Sequence, residues 1–312
     1  MPVSISAATL KSFNKAGTVA LLSPGDDCHL KFISFHKKGN GSAAKVVEDS
    51  ADMLNVIKDM YNGTQHPLLA NTEADILTGW WRDELWRADV RYAAAVAMVL
   101  AGFIDRLNDH FMILSNDNAF LSYYPHFFTQ RTLFARFQMN NTLDKHSQLF
   151  EKPVYSVMGM LAYLGEQKLR FASTNDDRLK VIATRSRIGG SSLSISIMLI
   201  WSTDSMDINT TLITIPVNIF LPNISGKYAV YKLENSEAHP SAVWSEAGCP
   251  VYPDSELRSR MRKTQGTHLS TLGSFSRIRS LDLKVQVSMP SITLINICED
   301  GGVNAALYKV IL

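Results

Sequence analysis

The sequence predicts a chain in two parts, an α/β part over residues 1–165 and an antiparallel β-sandwich over residues 166–312. Two observations carry this prediction. Before Gly165, short apolar runs alternate with stretches of helical periodicity, at the spacing of about 35 to 45 residues that is typical of βα units. After Gly165, short β-rich runs with apolar side chains at every second position are separated by polar turns. A chain of 312 residues with 46% apolar side chains can build two domains of this kind.

The α/β part contains three strand–helix units. Its helical stretches have apolar side chains three and four residues apart, and residues 89–104 are so rich in alanine that this helix is expected to be buried. The predicted strands are residues 31–35, 66–70 and 111–114, and the predicted helices are residues 43–61, 89–104 and 148–164, the last with Pro153 near its first turn.

The sandwich part is predicted from strict alternation. Ile195, Ile197 and Leu199, for example, would place their side chains on one buried face of a strand. A basic stretch over residues 255–263 has a helical pattern, and we interpret it as a solvated surface. The predicted strands are residues 179–184, 193–201, 212–220, 228–233, 281–287 and 291–298.

Charge and hydropathy exclude two classes of partner. Lys and Arg total 31 against 29 Asp and Glu, and no run of basic residues stands out. We therefore expect no nucleic-acid partner. The longest nearly apolar segment, residues 92–104, is shorter than the roughly 20 residues that cross a bilayer, so no membrane span is expected.

Three cysteines, Cys28, Cys249 and Cys298, lie too far apart to provide the ligand spacing of a zinc site. We expect neither a metal nor another cofactor. The apolar core near the N-terminus covers only residues 18–23, which is too short for the central region of a signal peptide. This chain is therefore expected to contain no signal peptide.

Polar side chains follow each strand of the α/β part, among them Lys38, Glu73 and Asp117. In a βα barrel the carboxyl ends of the strands converge on one mouth, where substrate binds. The pattern thus predicts a polar pocket that is rich in carboxylates. Carboxylates at strand ends also cap helices, and for any single Asp or Glu the two interpretations remain open.

Several of these segments resemble one enzyme family. Residues 114–123 read LSNDNAFLSY, residues 130–133 read QRTL, residues 152–154 read KPV and residues 73–75 read EAD. They resemble the α-L-iduronidase family, retaining glycoside hydrolases that remove terminal iduronate from dermatan and heparan sulfate. The resemblance runs from about Cys28 to Cys298, and we find no counterpart for the first 25 residues.

The resemblance implies roles for the charged residues. Glu73 takes the place of the catalytic nucleophile, a carboxylate that attacks the anomeric carbon. Asp75 is a competing carboxylate nearby, and a structural Glu73 is the alternative. Lys38 and Arg131 match positions that hold the carboxylate of the substrate, for which an ammonium and a guanidinium fork are suited. An ordinary ion pair with a neighbouring Asp is the alternative for each.

Other positions are implied to bind the sugar or to carry one. Asp117 matches a sugar-contacting carboxylate, with a helix cap as the alternative. His36 matches a pocket residue, although a structural hydrogen bond is the commoner role of such a histidine. Gly79 and Trp80 match the pocket wall, and a plain turn and a core aromatic are their alternatives. Asn140 matches a glycosylated asparagine.

One catalytic group of the family has no counterpart in this sequence. A retaining glycosidase needs a second carboxyl about 5 to 5.5 Å from the nucleophile, to protonate the leaving oxygen and later activate water. The family provides it in an Asn-Glu-Pro motif, and this chain contains no such triplet. By the resemblance, the three strand–helix units correspond to strands six to eight of a (β/α)8 TIM barrel, followed by the sandwich.

We therefore expect a fragment that lacks the first part of the barrel and the C-terminal fibronectin-like domain of the family. The favoured function is α-L-iduronidase-like hydrolysis of glycosaminoglycans, carried out by a longer product in a lysosomal or secretory setting. Two alternatives remain: an inactive remnant that binds uronate weakly, and a β-xylosidase-like hydrolase of the same family. The oligomeric state stays open.

Overall fold

A computed structural model describes ten stretches of the chain. They are residues 3–6, 30–61, 66–116, 122–171, 176–188, 192–208, 211–220, 224–278, 281–299 and 309–311. The chain divides into two compact units, the first made of residues 1–79 and 98–118 and the second of residues 80–97 and 119–312. The domain boundary after residue 165 stays a prediction. None of the helices in the described stretches combines the length and the apolar character needed to span a membrane.

The first unit is built on a parallel sheet of four strands that lie in chain order. Its strands are β1 (Val3–Ser6), β2 (Leu30–Phe35), β3 (Leu68–Asn71) and β4 (Phe111–Leu114), and its helices are α1 (Ala43–Met60) and the second half of α2 (Val90–Arg106). Strands predicted at residues 31–35, 66–70 and 111–114 thus lie within two residues of the observed ones.

Local interactions explain where α1 begins and how it packs. The side chain of Ser42 accepts a hydrogen bond from the Lys45 N–H at 3.2 Å, which caps the helix. Val46 and Ile57 are completely buried on its inner face. Gly102 of α2 comes so close to Val47 that an added Cβ would lie 2.7 Å from the Val47 side chain. The two helices can approach this closely because residue 102 is glycine.

Strand β1 was not predicted. It pairs with β2 in parallel, with Ile5 opposite Ile33 and Ser6 opposite Ser34. Its four residues are too few for the alternation of apolar and polar side chains to be recognised from sequence.

The second unit contains three antiparallel sheets. A six-stranded sheet has the order β12-β11-β14-β9-β8-β7, a three-stranded sheet has the order β13-β10-β15, and β5 and β6 form a hairpin. The strands are β5 (Phe134–Met139), β6 (His146–Glu151), β7 (Gln167–Lys168), β8 (Leu179–Ile188), β9 (Ser192–Trp201), β10 (Leu212–Phe220), β11 (Ile224–Glu234), β12 (His268–Ile278), β13 (Leu281–Ser288), β14 (Ser291–Glu299) and β15 (Lys309–Ile311). Helices α3 (Pro153–Leu161), α4 (Pro240–Glu246) and α5 (Ser255–Lys263) accompany them, together with the first half of α2.

The six-stranded and three-stranded sheets share one apolar core. Ile195, Ile197 and Leu199 of β9 lie in it as the alternation predicts, together with Val217 of β10 and Val285 of β13. Burial of these side chains supplies the main stabilisation of this part of the chain.

One predicted helix begins too early. Residues 148–151 belong to β6, which pairs with β5, and the helix starts only at Pro153. Lys152 is extended, with φ of −95° and ψ of 159°, because a residue that precedes proline avoids the helical conformation. The following proline then fits the first turn of α3, where no N–H is required.

The solvated interpretation of residues 255–263 is only partly right. Leu257 and Met261 of α5 are buried in a cluster with Phe137 and Trp244. Arg262 lies above the Phe150 ring, 4.8 Å from its centroid. The helix therefore packs on one side and exposes basic side chains on the other.

Candidate active site

The candidate site forms where the strands of the parallel sheet end. Phe35 of β2 pairs in register with Asn71 of β3, and Asn71 pairs with Leu114 of β4. All three strands thus end at one level, and the segments that follow them meet at one edge of the sheet. Ligand sites in parallel α/β sheets form at this edge.

Glu73 is the central residue of this edge. Its Oε2 accepts a hydrogen bond from the Lys38 ammonium, and its Oε1 lies 3.3 Å from His36 Nδ1. The Glu73 side chain is 28% exposed and that of Lys38 15% exposed, whereas His36 is largely exposed. The structure therefore brings together three of the predicted site residues, with the carboxylate accessible to a small molecule.

Asn71 fixes the two segments that carry this cluster. Its Oδ1 accepts hydrogen bonds from the Lys37 N–H at 3.1 Å and the Glu73 N–H at 3.3 Å, and its Nδ2 donates to the Lys37 carbonyl at 2.9 Å. Nδ2 also donates to Ser50 Oγ of α1 at 3.2 Å. Because the Asn71 side chain is completely buried, these bonds are protected from water.

Sequence reasoning missed this role of Asn71. The sequence shows an asparagine at the end of an apolar run, but it does not show which residues of other segments this side chain bonds to.

Backbone hydrogen bonds hold the same edge from both sides. The Ala74 N–H donates to the Ser115 carbonyl at 2.7 Å, and the Gly39 N–H donates to the Asp75 carbonyl at 2.9 Å. An added Cβ on Gly39 would lie 2.6 Å from the carbonyl oxygens of Ile76 and Ser42, so this contact requires glycine. The segment of Glu73 is thus fastened to both neighbouring segments.

Asp75, the competing carboxylate, is completely buried. Its Oδ2 accepts a hydrogen bond from the Leu77 N–H at 3.4 Å. Of the two carboxylates, Glu73 is therefore the accessible one.

Arg131 and Trp80 belong to the second unit. Arg131 is buried, and its N–H donates to the Trp80 carbonyl at 3.3 Å. The Trp80 ring meets that of Trp81 edge to face, at 6.1 Å between centroids. A backbone hydrogen bond therefore joins these two predicted site residues.

A buried lysine supports the segment of Arg131. The Lys152 ammonium donates to the Gln130 carbonyl at 2.8 Å and to Thr132 Oγ1 at 3.4 Å. Gln130 Oε1 in turn accepts from the Tyr123 N–H at 3.0 Å. Sequence reasoning gave Lys152 no role beyond the resemblance, because these two partners lie 22 and 20 residues away.

Three predicted site residues remain. Asp117 lies outside the described residues. Gly79 has a φ of +87°, a backbone conformation that favours glycine. Asn140 is exposed after β5, and Thr142 Oγ1 of the same N-x-Thr triplet donates to the Met139 carbonyl at 3.0 Å.

Comparison with known proteins assigns the family. The model of glycosyl hydrolases family 39 matches residues 5–277. The chain belongs to glycosyl hydrolase family 39. The family match covers most of residues 1–25, so our expectation that this segment has no counterpart is wrong. The matched segment includes part of strand β1, which belongs to the same sheet as β3, the strand that precedes Glu73.

Two curated proteins that this chain is similar to are α-L-iduronidases. That of Mus musculus is 35% identical over 287 residues, which is 86% of this chain and 45% of the relative. That of Homo sapiens is 33% identical over 286 residues, which is 86% of this chain and 44% of the relative. The chain thus spans a little under half the length of these relatives.

Solved structures show the same fold. A bacterial orthologue of human α-L-iduronidase superposes with a TM-score of 0.72 at 23% identity, covering 89% of this chain and 50% of the other. A monomeric β-xylosidase from Caulobacter crescentus superposes with a TM-score of 0.60 at 12% identity, covering 97% of this chain and 62% of the other. At these identities the likeness concerns the fold.

Proposed function

We propose that this chain carries the nucleophile of an α-L-iduronidase-like retaining glycosidase, and that Glu73 is this nucleophile. The observation that carries the proposal is the position of the accessible Glu73 carboxylate at the end of β3, between Lys38 and His36. Asn71 accepts a hydrogen bond from the Glu73 N–H and so positions the backbone that carries the carboxylate. The curated relatives at 33% and 35% identity support the choice of reaction.

In the proposed reaction, one Glu73 oxygen attacks the anomeric carbon while the bond to the leaving oxygen breaks. The product is a glycosyl ester on Glu73, which water then cleaves to release the sugar and restore the carboxylate. A second carboxyl protonates the leaving oxygen and later activates the water. We infer that this group, which the family provides in Asn-Glu-Pro, comes from outside these 312 residues.

The proposed substrate is terminal iduronate of a glycosaminoglycan such as dermatan or heparan sulfate. By the family resemblance, Lys38 and Arg131 are proposed to bind its carboxylate, for which an ammonium and a guanidinium fork are suited. Asp117 and His36 are proposed to bind sugar hydroxyls, and Trp80 with Gly79 to form the pocket wall.

The wider context belongs to the same proposal. We infer that the parallel sheet of the first unit is part of a (β/α)8 TIM barrel, and that the two large antiparallel sheets form its accompanying β-sandwich. The likeness to the bacterial orthologue supports this assignment. An N-glycan on the exposed Asn140 and a lysosomal or secretory location complete the proposal.

Fluoride release from α-L-iduronosyl fluoride tests the proposal on the 312-residue chain. Fluoride departs without protonation, so its release requires the nucleophile and not the second carboxyl. We expect release above the buffer rate, lost in Glu73→Gln and retained in Glu48→Gln, the same change at an exposed position of α1. Equal release by the Glu73→Gln variant and the parent chain would remove Glu73 from the reaction.

A further inference from the structure

A cleft lies within the second unit. Its volume is about 230 Å³, and helix α3 and strands β11 and β14 contribute to its walls. Three tyrosines, Tyr155, Tyr163 and Tyr231, line it. Clefts of this kind, mainly apolar with a few polar groups, are typical of sites for small molecules.

The tyrosine rings are held in place by other aromatic rings. Tyr163 and Tyr231 are stacked, with 6.4 Å between centroids and 19° between planes. Tyr155 contacts Phe134 at 4.5 Å between centroids. Tyr163 nevertheless remains 58% exposed. The cleft thus presents a fixed aromatic surface to solvent.

Two polar side chains in the cleft have hydrogen-bonding capacity to spare. Ser156 is only 8% exposed, and its Oγ has no hydrogen-bond partner among the described residues. A buried hydroxyl without a partner costs free energy, which a bound ligand would recover. The Glu151 carboxylate also lines the cleft and makes no hydrogen bond or ion pair within the described part of the chain.

Gly159 forms part of the cleft wall. It lies in α3 and lines the cleft, and a Cβ built on it would meet nothing within 4 Å. A larger side chain at position 159 would therefore extend into the open space of the cleft. Glycine in a helix is unfavourable by about 1 kcal/mol relative to alanine.

We propose that this cleft binds an uncharged pyranose sugar. The flat C–H face of a pyranose packs on an aromatic ring, and its hydroxyls can donate to the Glu151 carboxylate and bond with the Ser156 hydroxyl. The cleft is lined by one carboxylate and by no lysine or arginine, so a sulfated or carboxylated chain would be repelled. Its ligand therefore differs in charge from the iduronate proposed for Glu73.

A quaternary ammonium group is the competing ligand for tyrosines beside a carboxylate. It is best held by rings that surround it from several sides. Here Tyr163 and Tyr231 are nearly parallel, with 19° between their planes, and do not enclose a point from several sides, which favours a flat ligand over a spherical cation.

Calorimetric titration of the 312-residue chain with xylohexaose, a neutral hexasaccharide, tests the proposal. We expect saturable binding that weakens at least about tenfold in Tyr163→Ala and in Gly159→Leu. Leucine favours a helix more than glycine does, so loss of binding in Gly159→Leu will not reflect unfolding. Tyr252→Ala, at another exposed tyrosine, serves as the matched control and should bind like the parent.

Three further measurements sharpen the test. Ser156→Ala should lose affinity with an unchanged or higher melting temperature, since it removes a hydroxyl without a partner. Glu73→Gln should leave xylohexaose binding unchanged, which separates this cleft from the proposed active site. Preferential binding of tetramethylammonium or of a heparin hexasaccharide would overturn the proposal, as would unchanged xylohexaose binding in Gly159→Leu and Tyr163→Ala.

Discussion

Lys38 and Glu73 are joined by a hydrogen bond from the ammonium to Oε2 of the carboxylate. The family resemblance assigns Lys38 to the substrate's carboxylate, and the structure adds a second contact, to the proposed nucleophile. An ammonium has three donors, so Lys38 can hold both carboxylates at once. Under the proposed function, the uronate group of the substrate would thus lie beside Glu73.

Replacing Lys38 should therefore harm both binding and reaction. In Lys38→Met we expect fluoride release from iduronosyl fluoride to fall at least about tenfold, with a higher KM as well as a lower kcat. Steady-state kinetics with Lys45→Met as the matched control checks this, because Lys45 pairs with Asp49 on the surface of α1. A change confined to KM would mean that Lys38 acts on the substrate alone.

Asn71→Ala should destabilise the sheet edge. The change leaves the buried polar groups of Lys37 and Glu73 without their side-chain partner, at a cost of about 2 to 3 kcal/mol. Chemical denaturation measures the loss. Ser50→Ala, which removes only one of the Asn71 hydrogen bonds, should cost about 1 kcal/mol or less. Equal losses in the two variants would show that Asn71 does not connect the segments.

Arg131→Ala should discriminate between substrates. If its guanidinium binds a uronate carboxylate, KM for an aryl α-L-iduronide rises at least about tenfold more than KM for the matching xyloside, which has no carboxylate. The comparison requires the protein at the length that its relatives have. Arg131→Lys keeps the charge, so its KM for the iduronide should lie between those of the parent protein and Arg131→Ala. Equal increases of KM on both substrates would remove the argument for a uronate.

A histidine pair at the opposite, amino end of β3 and β4 should make stability depend on pH. Burial lowers the pKa of His110 below its ordinary value of 6.5, and Lys58 and His66 lower it further. Lys58 Nζ lies 3.3 Å from His110 Nε2, and the rings of His66 and His110 are 5.4 Å apart. The negative charge of Asp109 raises the pKa of His110 and so partly opposes these effects.

The sign follows from proton uptake. Between pH 6.5 and the lower pKa of His110 in the folded protein, His110 binds a proton more readily in the unfolded chain. The free energy of unfolding therefore decreases as the pH falls through this window. Above pH 6.5 the full stability is present. Lys58→Met should raise the pKa of His110, measured by NMR titration, and His110→Gln should flatten the decrease in melting temperature. An unchanged pKa in Lys58→Met would contradict this account.

The strands were predictable where pattern and context agree. Residues 111–114 and 212–220 coincide with β4 and β10, because apolar runs bounded by polar turns leave few alternatives. Strand β12 was missed because its serines, threonine, glycine and arginine hide the alternation. Strand β6 was read as part of a helix because its partner, β5, lies outside any local window.

The candidate site was predictable to a similar extent. Residue types and family resemblance named His36, Lys38 and Glu73, which the structure brings together. The roles of Asn71 and Lys152 depend on partners such as Lys37 and Gln130, which lie 34 and 22 residues away and which periodicity does not reveal. Their burial likewise results from tertiary packing.

Covalent labelling tests the role of Glu73 most directly. The protein is incubated with a 2-fluoro-iduronosyl fluoride, whose fluorine at C2 slows release of the glycosyl-enzyme, and the digested peptides are weighed by mass spectrometry. We predict one adduct on the peptide that contains Glu73, absent from Glu73→Gln. An adduct on Asp75 or any other carboxylate, or the same adduct in Glu73→Gln, would contradict the assignment.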